Sequence, residues 1–165
     1  MSLNLLHRTP GVGEAYKLDR GYVCAIKHFE KHSKIFCEKG FYKICLVANG
    51  HSSVGAEALL FYGNPKASCS CETMPAPGLG YTFLFSEDFV LSSPAGKQVL
   101  QSPLFNSLSN IFLKVSPKHA SFLCNVFKQM MNEQDSHYLF KGELMLNYLN
   151  ILVFEGMKIS YKQGE

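Results

Sequence analysis

The sequence contains no apolar run that approaches the roughly 18 residues needed to cross a bilayer as a helix. Its amino terminus lacks the basic and then apolar pattern of a secretory signal peptide. The 16 Lys and Arg residues, set against 13 Asp and Glu, are spread along the chain and form no basic stripe of the kind that binds nucleic acid. These absences predict a cytoplasmic protein that does not contact a membrane and does not itself contact DNA.

The signatures of common catalytic sites are also missing. The 6 histidines form no H-x-H pair, and His51 with Glu57 is too sparse a set for an open metal site, which needs about three protein ligands. Nucleophile elbows, phosphate-binding loops and dinucleotide fingerprints are absent. The 6 cysteines show no C-x-x-C spacing and are expected to be free thiols, although Cys69 and Cys71 leave a metal or redox pair open. We expect no catalysis, no cofactor and no metal.

What is present is an ordinary globular composition, with 47% hydrophobic and 18% charged residues in a chain of 165. A chain of this length can bury about 70% of its unfolded surface, so one domain with its own core is expected. Asn49-Gly50 is a strong hairpin signal and predicts that the strands on either side pair antiparallel. Strand-like runs cover residues 21–29, 41–48, 58–62, 66–72, 81–85 and 111–115.

Helix signals dominate the carboxy-terminal third. Ser86 is placed to cap a helix, and Pro94 and Pro103 limit the helices between them to short lengths. Ser116 followed by Pro117 begins a longer helix with one apolar face. A second long helix is predicted from Tyr138 to about residue 160. Strands first and helices last indicate the α+β class, mainly β.

The apolar arc of that last helix is wider than one packed face requires. Two explanations stay open: burial between the sheet and the preceding helix, or a seam that pairs two copies of the chain. The residues predicted to form a dimer interface are Met145, Tyr148, Leu149, Leu152 and Val153.

Aromatic residues are concentrated in the predicted strands. A small barrel either fills its interior with side chains or holds one small ligand, for which tyrosines provide polar contacts. We expect ligand contacts from Tyr42, Tyr62, Tyr81 and Phe83, with plain core packing as the alternative. His28 is expected at the pocket mouth, unless it is a solvated turn residue.

Several short motifs, in order, resemble the amino-terminal regulatory domain of AraC-type transcription regulators. They are Phe41-Tyr42-Lys43-Ile44, Asn49-Gly50, Leu60-Phe61-Tyr62-Gly63-Asn64-Pro65, Gly80-Tyr81-Thr82-Phe83-Leu84-Phe85, Asp88-Phe89, Gln101-Ser102-Pro103-Leu104-Phe105 and the Glu143-Leu144-x-x-Asn147-Tyr148-Leu149 segment. The resemblance implies a cupin-like antiparallel β-barrel of jelly-roll type followed by two carboxy-terminal α-helices. The interval between Gly50 and Leu59 is shorter than the family pattern, and a truncation there would open one side of the barrel or shrink its pocket.

By this resemblance, residues 1–20 would be an amino-terminal arm or a tag remnant, 21–115 the barrel and 116–161 a helical dimerisation hairpin. Its partners would be a second copy of the chain, a small-molecule effector and, only through a carboxy-terminal domain outside this sequence, DNA. The expected function is that of a non-enzymatic effector-sensing and dimerisation domain of a bacterial transcription regulator. A small metal-dependent cupin enzyme and a ligand-free dimerisation module are the alternatives.

Overall fold

The computed structural model describes residues 21–26, 40–48, 58–67 and 80–164. Five strands in these residues form one sheet in which every neighbouring pair is antiparallel, and their spatial order is first, fourth, second, third, fifth. In chain order the strands are β1 (Gly21–Ile26), β2 (Tyr42–Ala48), β3 (Ala58–Gly63), β4 (Gly80–Phe85) and β5 (Ile111–Val115).

The α+β class predicted from the sequence is confirmed, whereas a closed barrel is not shown. Among the described residues the sheet is open, with β1 at one edge and β5 at the other. The antiparallel pairing of β2 with β3 is confirmed and places Leu46 opposite Leu60. The Asn49-Gly50 turn that predicted this pairing, like the arm expected over residues 1–20, lies outside the described residues.

Three short helices separate β4 from β5, and the sequence explains their limits. They are α1 (Glu87–Leu91), α2 (Pro94–Gln101) and α3 (Pro103–Asn106). The Ser86 hydroxyl accepts a hydrogen bond from the Phe89 amide at 3.2 Å, as predicted for a helix cap. α2 and α3 each begin at a proline, because proline has no amide hydrogen to donate and is tolerated in the first turn.

Two long helices complete the chain: α4 (Pro117–Gln134) and α5 (Lys141–Gly164). The Ser116 hydroxyl caps α4 by accepting from the His119 amide at 3.3 Å. α5 begins three residues later than predicted, because Tyr138 to Phe140 form a turn in which the Lys141 amide donates to the Tyr138 carbonyl. The Lys141 ammonium also donates to carbonyl oxygens at the end of α4 and just after it, at 3.2 Å from both Gln134 and Ser136.

One hydrophobic core joins the sheet to the helices. Its members come from β2 to β5 and from all five helices, so the stretches 21–115 and 116–161 share one interior. Helix and sheet approach closely at Gly156 of α5, whose bare Cα leaves room for the Tyr62 ring of β3. Asn64, just after β3, donates its side-chain amide to the Phe105 carbonyl and so ties the sheet to α3. Asn64 of the Gly63-Asn64-Pro65 motif therefore has a structural role.

Both faces of the sheet are buried along much of β2 and β4, although the described helices pack on only one of them. We call that side the helix face; it carries Ile44, Leu46, Leu60, Tyr62, Phe83 and Phe85, all in the core cluster. The opposite side, here named the second face, carries Lys43, Cys45, Val47, Phe61, Thr82 and Leu84, each at most 8% exposed. A sheet covered on both faces is the arrangement expected of an inner layer of a domain.

Candidate functional site

The aromatic residues predicted to bind a ligand all lie on the helix face. Side chains alternate along a strand, and residues opposite each other in an antiparallel pair share a face. Tyr42 is opposite Phe85, Ile44 is opposite both Tyr62 and Phe83, and Leu46 is opposite Tyr81. Tyr42, Tyr62, Tyr81 and Phe83 are therefore brought together, but against the helices.

Each of these rings packs on a neighbouring ring rather than around a void. Tyr81 stacks on Phe127 of α4 with ring centres 5.7 Å apart, and Phe83 meets Phe89 of α1 edge-on at 5.9 Å. Tyr42 stacks on Phe85 at 5.5 Å. This packing agrees with the alternative of plain core packing, and ligand contact by these residues stays a prediction.

Tyr62 is the most tightly held of the set. It has no exposed surface, and its hydroxyl donates to the Leu152 carbonyl of α5 at 2.6 Å. Burial raises the pKa of Tyr62 far above its ordinary 10.0, and the nearby Glu155 carboxylate raises it further. A phenol held neutral and already engaged with the backbone serves as a buried hydrogen-bond donor within the fold.

His28, the fifth residue expected at the ligand site, lies outside the described residues.

The second face carries a cluster of buried polar side chains that sequence reasoning did not select. Cys45 and Thr82 are opposite each other on β2 and β4, with Sγ and Oγ1 2.9 Å apart. Lys43 lies two residues before Cys45 on the same side of β2 and is only 5% exposed. One signal was available: a lysine and a cysteine alternate with apolar residues along the central strand, Tyr42-Lys43-Ile44-Cys45.

The residues predicted to form a dimer interface lie mainly in the core of a single chain. Met145, Leu149, Leu152 and Val153 are at most 5% exposed, and Tyr148 is half-buried against the same core. Of the two explanations for the wide apolar arc, burial between sheet and helix accounts for these side chains. Self-association stays a prediction.

A second set of residues on α5 remains exposed. Ile151, Phe154 and Tyr161 are 38%, 55% and 72% exposed, respectively. With half-buried Leu144 and exposed Asn147 and Lys158 they form a stripe spaced alternately by three and four residues. We call these six residues, 144, 147, 151, 154, 158 and 161, the α5 stripe. Sequence reasoning missed it, because the periodicity of a broadly apolar helix does not distinguish the packed face from the free one.

The described residues contain neither a metal-binding cluster nor a membrane-spanning helix. Within the four described ranges, no group of three or more His, Cys, Asp or Glu side chains is placed to hold a metal ion. Cys45 and Cys124 are reduced thiols, as expected. None of the described helices combines the length and the apolar character required to cross a membrane.

Comparisons with known proteins add no family assignment: no protein-family model matches the chain, and no curated protein matches it.

Proposed function

We propose that this chain is the effector-sensing and dimerisation domain of a bacterial AraC-type transcription regulator, with the α5 stripe as its pairing surface. The ordered motifs of the sequence suggest the family, and the helices carried on one side of an antiparallel sheet support it. The observation that carries the proposal is the stripe itself, which leaves large apolar side chains in water along one line of the longest helix.

The stripe is self-complementary when two copies of α5 lie antiparallel about a two-fold axis between Leu152 and Val153. Leu144 then meets Tyr161 of the second copy, and Ile151 meets Phe154. Asn147 meets Lys158, so the polar positions also face each other. A two-fold interface requires this property of a surface, since one patch must match its own image. Two helices that pack along a common seam contact each other through residues spaced alternately by three and four positions.

The expected pairing is weak to moderate. The stripe covers about 27 Å of helix, at roughly 1.5 Å per residue. One helix pair of this length buries less than the roughly 1,600 Å² of a standard stable interface. We therefore expect a dimer that dissociates at about micromolar concentration and is stabilised in a full-length regulator by additional contacts.

The register can be tested by charge at position 147, which is exposed and lies outside the core. Asn147→Glu should tighten dimerisation, because it places a carboxylate against Lys158 of the second copy, and Asn147→Lys should weaken it. Sedimentation equilibrium of both variants gives the two dissociation constants, which we expect to differ by about tenfold at low salt.

Removing the apolar contacts gives a second, independent test. Phe154→Glu should produce a monomer at concentrations at which the unaltered chain is dimeric. Leu108→Glu is the matched control, since Leu108 is 75% exposed and lies outside α5. An unaltered chain that is monomeric at about 1 mM, or a Phe154→Glu variant that still dimerises, contradicts the proposed pairing surface.

The effector would bind on the second face of the sheet, because this face carries the buried polar side chains. In an apolar site, a few polar groups fix the orientation of a ligand, and Lys43, Cys45 and Thr82 are the buried polar groups of this face. A ligand retained there changes the sheet on which the helices pack, and in this way it biases how two copies pair.

The dense packing of aromatic rings specifically favours a second candidate, a dimerisation module that has no ligand. A native mass spectrum of gently purified protein separates the two candidates. A bound small molecule that is lost in Thr82→Val, while the fold is retained, supports the sensing role. If the spectrum shows only the mass of the chain without a ligand under every purification condition, the ligand-free module is favoured.

A further inference from the structure

A cleft of about 250 Å³ lies away from both the second face and the central sheet, where the α2–α3 junction meets α5. Val99, Val153 and Met157 are among its apolar walls. Gln98 and Gln101 are exposed and line it with side-chain amides, whereas Ser102 is only 5% exposed.

Ser102 is the unusual member of this lining. It precedes Pro103 at the start of α3, the position at which a serine hydroxyl normally accepts a helix amide. Ser86 and Ser116 make that bond at the starts of α1 and α4, but Ser102 does not. Its Oγ is buried without any hydrogen-bond partner in the described structure. An unpaired buried hydroxyl costs free energy, so a group that supplies its partner would be bound favourably.

The chemistry of the lining restricts what the cleft can hold. No charged side chain lines it, so an ion would lose its hydration without gaining a counter-charge. Its volume is below the roughly 300–1,000 Å³ of sites for drug-sized ligands. A molecule of one ring fits this limit. The Ser102 Oγ has less than 1 Å² of accessible surface, so the side chain must turn about χ1 to bring its hydroxyl to an acceptor in the cleft.

We propose that this cleft is a binding site for a small uncharged molecule that has an apolar ring and an amide or hydroxyl group. The ring packs against Val153 and Met157, the ligand oxygen accepts from the Ser102 hydroxyl, and Gln98 or Gln101 pairs with the remaining polar atom. The cleft shares Phe154 with the α5 stripe, so binding there and self-association are expected to affect each other. The cleft does not involve the second face.

Benzamide is a suitable probe, and benzoate is its charged counterpart of nearly the same shape. Titration of the full chain, followed by amide chemical shifts, should give a millimolar dissociation constant for benzamide, with shifts on α2, α3 and α5. Benzoate should bind at least tenfold more weakly. Shifts confined to β2 and β4 would place the ligand on the second face and overturn the proposal.

Ser102→Ala tests the role of the hydroxyl without enlarging the side chain. We expect benzamide binding to weaken about threefold or more while the thermal midpoint stays the same or rises, because the substitution removes an unpaired buried group. Ser121→Ala, on the exposed side of α4, is the control and should leave binding unchanged. Unchanged binding in Ser102→Ala, equal binding of benzoate, or no benzamide binding at about 10 mM each contradicts the proposal.

Discussion

The contact between Gly156 and Tyr62 joins the last helix to the sheet and leads to a quantitative prediction. A Cβ added at position 156 would lie 2.5 Å from Cζ and 2.9 Å from Cε2 of Tyr62, and closer still to the hydroxyl oxygen. Separations under 3.0 Å do not occur between a real Cβ and its neighbours. Tyr62 cannot move aside easily, because it is fully buried and hydrogen-bonded to Leu152. Gly156→Ala must therefore displace either the ring or the helix.

The size of the effect follows from three contributions. Overpacking a filled core typically costs about 1–3 kcal/mol. Loss of the Tyr62 hydrogen bond adds about 1 kcal/mol. Alanine in place of glycine within a helix offsets about 1 kcal/mol. We expect Gly156→Ala to lower the free energy of unfolding by about 2 kcal/mol.

Urea denaturation followed by circular dichroism at 222 nm measures this difference. The matched control is Gly142→Ala in the same helix, where a Cβ would have nothing within 4 Å; it should be neutral or slightly stabilising. Tyr62→Phe removes the nearest atom, so the double variant should be less destabilised than the sum of the single variants. Equal stability of Gly156→Ala and Gly142→Ala would refute the close approach of helix and strand.

Two further predictions concern caps and pH. Ser116→Ala should lower the free energy of unfolding by about 1 kcal/mol, because it removes the cap of α4. Ser93→Ala should change it little, because the Ser93 hydroxyl makes no cap bond at the start of α2. Thermal melts of both variants measure the difference. Since the folded-state pKa of Tyr62 is raised, its contribution to stability is complete below pH 10 and declines above it by about 1.4 kcal/mol per pH unit. Denaturation midpoints from pH 8.5 to 11.5 should show this slope, and Tyr62→Phe should reduce it; an equal slope in both would contradict the burial of this phenol.

Much of the secondary structure was predictable, because local signals were strong. The cap at Ser86, the short helices near Pro94 and Pro103, and the pairing of β2 with β3 all follow from short-range chemistry of the chain. The start of α5 was predicted three residues too early. The apolar Tyr138 to Phe140 segment continues the helical pattern in sequence, but it forms an exposed turn in the structure.

The aromatic residues predicted to contact a ligand lie on the side of the sheet that the helices cover. The aromatic content of the strands predicted ligand contacts from Tyr42, Tyr62, Tyr81 and Phe83. The strand register shows that all four share the helix face. Alternation assigns residues to two sets, but it does not say which set meets the helices. In the sequence, Lys43 and Cys45 are polar residues within an apolar strand. Their burial, which only the structure shows, is what supports the proposed role in binding.

The same division applies to α5. By itself, the sequence determined that this segment is a long helix with more apolar surface than one face requires, since helical periodicity is a local property. Only the tertiary structure decided which apolar side chains remain exposed. The sheet and α4 cover Leu149 and Leu152 and leave Ile151 and Phe154 in water, because burial depends on how distant elements pack rather than on neighbouring residues in the chain.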